Sequence, residues 1–388
     1  MRRVYLDHAA TSPIRKEVLE AMCSAYTEVI GNASSLHTFG QQAKRTLEES
    51  RHRVASLLGA DAKEIYFTPG GTVGDNLALR GVVKASAKPS PHIITSAIEH
   101  HAVLHTCHDL ENQGVRVTYL PVSRTGIVDL QALEDALSSD TVLVSIMLAN
   151  NETGTIQPLR EVVELAHDRG VPVHTDAVQA IGKMSVDVDA LGVDLLTLTA
   201  HKFNGPKGIG ALYVRRDTPI APILHGGHQE RELCPGTENI AGVVGLAKAL
   251  ELAVAEMETE SARLGTLRDR LERGLGQRIA GTALNGDPQH RLPNILNMSF
   301  AGTEGESLLL ALDTQGIAVS TGSACSAGST DPSHVLMAMG LGRNRAQASL
   351  RFSLGHGTSA EDIDYTIDQV AAAVEALRAI APEPLRDF

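Results

Sequence analysis

Lys202 follows His201 at the end of an apolar run, residues 193–198, and precedes the turn Asn204-Gly205-Pro206. A lysine delivered into a cleft by a buried strand can lose its proton and attack an aldehyde. A second apolar run, residues 171–175, delivers Asp176 in the same way. A carboxylate there can hold a pyridinium nitrogen protonated, the partner that pyridoxal phosphate (PLP) needs to act as an electron sink. Singly, each residue is ordinary: a lysine after a strand is most often solvated, and an aspartate at a strand end most often caps a helix. Jointly they say more. The 26-residue interval between them leaves room for one helix and one returning strand. Such a βαβ step brings both strand ends to the same edge of a parallel sheet.

Other residues could serve the same chemistry. Gly70-Gly71-Thr72 precedes a helical stretch over residues 75–82 and would offer backbone N–H groups and a hydroxyl to a phosphate. A plain glycine-rich strand-to-helix turn explains that run equally well. Cys325 sits in a run of small residues, 320–329, which cannot pack a core and reads as an exposed, mobile loop. A cysteine in such a loop can ionise and attack sulfur. His101, His105 and His108 share one helical face. They would suit a transition metal, but no acidic residue or cysteine completes the set, so a solvated face is the better reading.

The elements that position these residues follow from the apolar pattern. Strand-like runs at residues 92–95, 115–120 and 142–147, with the two above, alternate with helical stretches and fit a mostly parallel sheet. Residues 158–170 read as a helix with Leu159, Val162, Val163 and Ala166 on one face and Gly170 closing it. Residues 208–214 follow a short turn and should return antiparallel. Beyond Ala241, a charge-laced helix over 243–275 should bridge to a smaller unit, with strands at 295–300, 317–320 and 349–353 and a closing helix over 362–380.

The 388 residues, 43% hydrophobic and 21% charged, are enough for two domains of ordinary composition. With 34 basic and 46 acidic side chains the formal charge is −12, so no direct nucleic-acid contact is expected. No apolar run is long enough to cross a bilayer, and Met1-Arg2-Arg3 leads into a strand-like segment rather than a signal sequence. A cytoplasmic protein without membrane contact is expected. The four cysteines form no C-x-x-C pair, which argues against zinc ribbons and thioredoxin-type motifs. Small, buried, reduced residues is the default reading of Cys23, Cys107, Cys234 and Cys325, and only Cys325 has surroundings that argue otherwise.

Eight segments occur in an order that resembles one enzyme family. They are residues 5–11, Gly31 to Ser35, Asn150-Asn151-Glu152, Asp176 to Gln179, His201-Lys202, Gly236 to Asn239, Ser323-Ala324-Cys325 and Arg351 to Gly355. Together the chain resembles the PLP-dependent cysteine desulfurases of the NifS/IscS class, which are fold type I, class V aminotransferase-like enzymes. The resemblance implies an α/β fold. A large PLP-binding domain, residues 12–255, would hold a mostly parallel seven-stranded sheet. Residues 1–11 and 256–388 would form a smaller α+β domain carrying the Cys325 loop. It also implies a homodimer.

The same resemblance assigns roles. Lys202 would carry PLP and move the Cα proton. Gly71, Thr72, Thr199 and His201 would hold the phosphate, with Thr237 reaching the site of the other subunit. Asp176 would pair with the pyridine nitrogen and Gln179 with the phenolic oxygen, while His100 stacks on the ring and shuttles protons. Asn151 would approach that oxygen or the substrate carboxylate, and Arg351 would grip the carboxylate of L-cysteine. Cys325 would take the sulfur as a persulfide, leaving L-alanine. A protein acceptor would follow, for iron–sulfur cluster assembly, tRNA thiolation or DNA sulfur modification. A selenocysteine lyase or another fold type I enzyme is the alternative, and an aminotransferase would not need Cys325. Three places depart from the family's pattern: Val73-Gly74 where Glu-Ser is usual, a less basic run at residues 231–235, and His356 in place of a basic residue.

Overall fold

The computed structural model describes residues 2–321 and 331–380. The chain starts on a two-residue strand, β1 (Val4–Tyr5). Seven strands then build the larger sheet: β2 (Ile65–Thr68), β3 (His92–Ser96), β4 (Arg116–Leu120), β5 (Thr141–Ser145), β6 (Val173–Asp176), β7 (Leu195–Thr199) and β8 (Gly210–Val214). Their order is β2-β8-β7-β6-β5-β3-β4. From β4 through β7 neighbours are parallel, and β8 runs antiparallel to both β7 and β2. The antiparallel return expected over 208–214 is β8.

Every residue of β3, β5, β6, β7 and β8 is buried, because helices cover both faces. The strand alternation divides the core in two. Ile93, Leu143, Leu195 and Leu212 pack with residues of the helices Gly71–Ala85 and His101–Asn112. Ile94, Val144, Leu196 and Leu198 pack with residues of the helices Thr38–Leu58 and Leu159–His167. The helix expected over 158–170 spans Leu159–His167 and buries the four apolar residues named from its pattern.

A second, three-stranded antiparallel sheet has the order β12-β10-β9, from β9 (Thr282–Asn285), β10 (Ile295–Phe300) and β12 (Ser349–Ser353). The run at 317–320 is a strand only over β11 (Ile317–Ala318), which pairs in parallel with β1, while Ser320 makes an isolated antiparallel bridge to Arg351 of β12. The helix Ile240–Arg278 links the two halves over 39 residues, ~58 Å at 1.5 Å per residue. Its residues up to Leu250 belong to the first core, and those from Leu264 to Leu275 to the core around β10 and β12.

Of the cysteines, Cys107 and Cys234 are buried as expected, but Cys23 is exposed. Its helix, Lys16–Glu28, buries only Val18 and Ala25, so Cys23 falls on the outer face. Cys325 lies outside the described residues. Among the described residues, no helix is long and apolar enough to cross a membrane.

Candidate active site

In the larger sheet, the connection after β3 runs to one side and the connections after β5 and β6 run to the other. Ligands of open α/β sheets gather at the carboxyl ends of strands where such connections diverge. A cavity of about 300 Å³ lies there, and ten of the expected residues line it: Gly71, Thr72, His100, Asn151, Asp176, Gln179, Thr199, His201, Lys202 and Arg351.

The strand ends explain the convergence. β6 ends on Asp176, whose carboxylate accepts from the Val178 amide at 2.9 Å. β7 ends on Thr199, and a single 3₁₀ turn, Ala200–Lys202, swings the lysine inward. Lys202 Nζ donates to the carbonyls of Ala9 and Ala10 at 2.6 and 2.7 Å. Gln179 Nε2 also donates to Ala9, at 3.0 Å. His100 caps the helix His101–Asn112, its Nδ1 accepting from the Ala102 amide, so the neutral ring carries its proton on Nε2. Arg351 comes from β12 in the second sheet, and its guanidinium donates to the Asn151 carbonyl at 2.9 Å and to Asp7 at 2.8 Å.

Beside this cavity, a second opening shares Gly71, Thr72, Thr199 and His201 and adds Thr11 and Lys207. The helix Gly71–Ala85 points its N-terminus at that junction, a favourable place for an anion. His201 is held by the Thr11 hydroxyl at 3.1 Å.

The electrostatics are those of a buried site. Burial, reinforced by Lys202, lowers the His100 pKa to about 4, and burial with Lys202 and Lys207 does the same to His201. Both imidazoles are neutral at neutral pH. Burial also raises the pKa of Asp176, while the Val178 amide and Lys202 oppose the rise.

Several residues of the site escaped the sequence reading. Asp75 lines the cavity at 1% exposure, with a pKa well above its ordinary value through burial and then the Asp176 charge. Asp7, Ala9 and Ala10 stood within a quoted motif without a role. Lys207 lies in a turn motif that says nothing of its neighbours. Thr237 is exposed and does not line its own chain's cavity. The rings of His101, His105 and His334 come within 4.7 Å of one another in successive pairs. Even so, no cluster among the described residues has three ligands placed for a metal ion.

The class-V aminotransferase family model matches residues 4–366. A cysteine desulfurase IscS of Dictyoglomus turgidum is 52% identical over 381 residues, covering 98% of this chain and 97% of the relative. The chain belongs to the cysteine desulfurase family. Among solved structures, a NifS-like protein superposes with a TM-score of 0.91 at 40% identity, covering 97% of this chain and all of its own, 100%. SspA, solved in complex with cysteine, gives a TM-score of 0.80 at 35% identity over 90% of this chain and 98% of its own. The fold is thus the fold type I α/β architecture of PLP-dependent desulfurases.

Proposed function

We propose that this desulfurase converts L-cysteine to L-alanine at the cavity above β3, β5, β6 and β7, with PLP as cofactor and Cys325 as sulfur acceptor. The observation that carries the reading is the meeting of Lys202, Asp176 and Arg351 on one cavity, from three different strands. The donor set suits PLP: an amine for its aldehyde, a buried carboxylate for its ring nitrogen, and a helix N-terminus with Thr72, Thr199 and His201 for its phosphate. When bound, PLP draws electrons from the substrate's Cα and so loosens the Cα proton.

The chain's own residues do the rest. Asp176 holds the proton on the ring nitrogen. Arg351 and Asn151 bind the substrate carboxylate and so fix Cα near Lys202, which moves its proton. His100, neutral with its proton on Nε2, donates and recovers a proton beside the ring. The thiolate of Cys325 attacks the substrate's sulfur; the C–S bond breaks, the carbon side takes a proton, and a persulfide remains on Cys325. Cysteine and one enzyme thiol thereby give alanine and one persulfide, with no outside oxidant.

A homodimer, Thr237 serving the partner's phosphate site, a cytoplasmic location and a protein that takes sulfur from Cys325 complete the reading. So does a domain division of 12–255 against 1–11 and 256–388, which matches the change of core along the helix Ile240–Arg278. The test is alanine yield and persulfide labelling in the parent, Lys202→Ala and Cys325→Ser proteins. Both products should vanish in each variant, and Cys325→Ser alone should retain PLP. Alanine formation by Cys325→Ser with persulfide on Cys234 would mean that the nucleophile is misassigned.

A further inference from the structure

Arg351 enters the cavity already paired. It is 3% exposed, with Nη1 on the Asn151 carbonyl and Nη2 on the Asp7 carboxylate, while its Nε is buried without a hydrogen-bond partner. The Asp7 backbone is fixed apart from its side chain. It bridges Ser353, and its carbonyl accepts from the Ala10 amide and the Tyr5 hydroxyl. Two and three residues on, Ala9 and Ala10 hold Lys202. One short stretch, residues 7–10, therefore meets both the arginine and the lysine of the site.

We propose that Asp7 is the resident counter-ion of Arg351 and sets how tightly the site holds an amino-acid carboxylate. The proposal rests on Arg351 being the carboxylate-binding group of the desulfurase reading. A guanidinium already facing a carboxylate at 2.8 Å is close to neutral as a pair. An incoming carboxylate then meets far less attraction than an unpaired buried arginine would offer. The consequence falls on the product. Cysteine and alanine carry the same carboxylate, and affinity for a group common to both does nothing for the chemical step. By restraining that affinity, Asp7 lets alanine leave. It acts through Arg351 and is a positioning residue.

Asp7→Asn keeps an oxygen to accept from Nη2 and removes the charge. With the PLP-loaded enzyme, inhibition by L-alanine and by L-alaninamide is measured alongside KM and kcat for cysteine. In the Asn variant, alanine should inhibit at least ~5-fold more tightly and the cysteine KM should fall, since one opposing charge near the arginine is gone. Alaninamide, which lacks the carboxylate, should inhibit both proteins alike. Unchanged or weaker alanine inhibition in Asp7→Asn overturns the proposal. So does an equal gain for alaninamide, which would mark a general rearrangement of the site. If Asp7 only holds the guanidinium in place, Asp7→Asn is silent while Asp7→Ala weakens alanine, and that result also overturns it. A parent enzyme that makes no alanine from cysteine sinks the desulfurase reading instead, whatever Asp7 does.

Discussion

Asp75 and Asp176 bring two carboxyl groups to one buried volume, and they cannot both ionise there. Asp176 has the Val178 amide and Lys202 to hold its charge, whereas one Asp75 oxygen has no hydrogen-bond partner at all. Asp75 is therefore the carboxyl that binds its proton more tightly, its pKa pushed well above 3.8 by burial and then by the Asp176 charge, against the opposing hydrogen bond from Thr197. Behind it, His174 lies between the Ser145 hydroxyl at 2.8 Å and the Thr197 hydroxyl at 3.0 Å, and burial keeps that ring neutral, its pKa down at about 3. Of the two carboxyl groups lining the cavity among the described residues, Asp176 is then the one placed to carry the charge toward a ring nitrogen. The folded chain holds a proton on Asp75 that the unfolded chain releases near pH 3.8. Stability from that proton is complete below the unfolded value and is lost as pH rises through the folded one. At neutral pH Asp75 is a cost, and Asp75→Asn should relieve it. Thermal unfolding of the cofactor-free protein should show a larger gain for Asp75→Asn at pH 8 than at pH 5. The difference cannot exceed ~1.4 kcal/mol per pH unit for one proton. An equal shift at both pH values would refute the assignment.

At the scale of elements, strands that are buried throughout announced themselves, as did the half-exposed edge β4, whereas the short edge β9 and the helix contacts did not. The runs that became β3, β5, β6, β7 and β8 are apolar enough to be read from sequence, and so is the face of the helix Leu159–His167. β9 was missed because it is four residues at the edge of its sheet, with only Asn285 buried. The helix Thr38–Leu58 carries eight buried residues among many charges, and its caps, His37 and Gly59, are weak signals. Lys202 and Asp176 were legible because strand ends carry them, and most of the other lining residues were reached through the family resemblance. Asp75 was not, because it lies on a helix and meets the site through that helix's packing on the sheet, beside His174 of β6 and Thr197 of β7. The departure at Val73-Gly74 has a physical reason of the same kind. A Cβ at residue 74 would lie 2.8 Å from Thr197 Cγ2 and 3.1 Å from its Oγ1, so the family's usual serine would not fit this close approach. Alanine normally favours a helix over glycine by ~1 kcal/mol. Here Gly74→Ala should instead destabilise by ~1–3 kcal/mol, because β-branched Thr197 is stiff and buried. It should also weaken PLP binding by moving the helix N-terminus. Equilibrium unfolding and PLP titration check both effects, and a stabilised variant with unchanged affinity would show that the helix is free to shift.

For the whole molecule, the stretch before Thr237 is fixed more firmly than an exposed segment needs to be. Glu230, Arg231 and Glu232 all take positive φ, at 46°, 53° and 71°, an unfavourable conformation for each side chain. A buried ion pair holds them: Glu230 takes both Arg51 Nη1 and Nη2 at 2.7 Å and accepts from the Phe67 amide. Arg231 lies over the Tyr66 ring, 3.9 Å from its centroid, and donates to the Ile65 carbonyl. The departure to a less basic run thus leaves one arginine turned back onto its own chain. What this anchoring presents outward is Thr237, exposed and away from its own cavity. We propose that the rigidity serves a second subunit, whose phosphate site Thr237 completes. Heterodimers separate this from a role within one chain. When a Lys202→Ala chain pairs with a Thr237→Ala chain, the second chain keeps its own Lys202 and receives Thr237 from its partner. One intact site should result, with half the parent's alanine yield and parental PLP affinity at that site. If Thr237 serves its own chain, the same heterodimer has no intact site, because the one chain with Lys202 lacks the threonine. The control pairs a doubly substituted chain with an unsubstituted one, and the two models exchange their outcomes there. PLP titration of both purified heterodimers decides between them, and parental affinity in the control alone would place Thr237 within its own subunit's site.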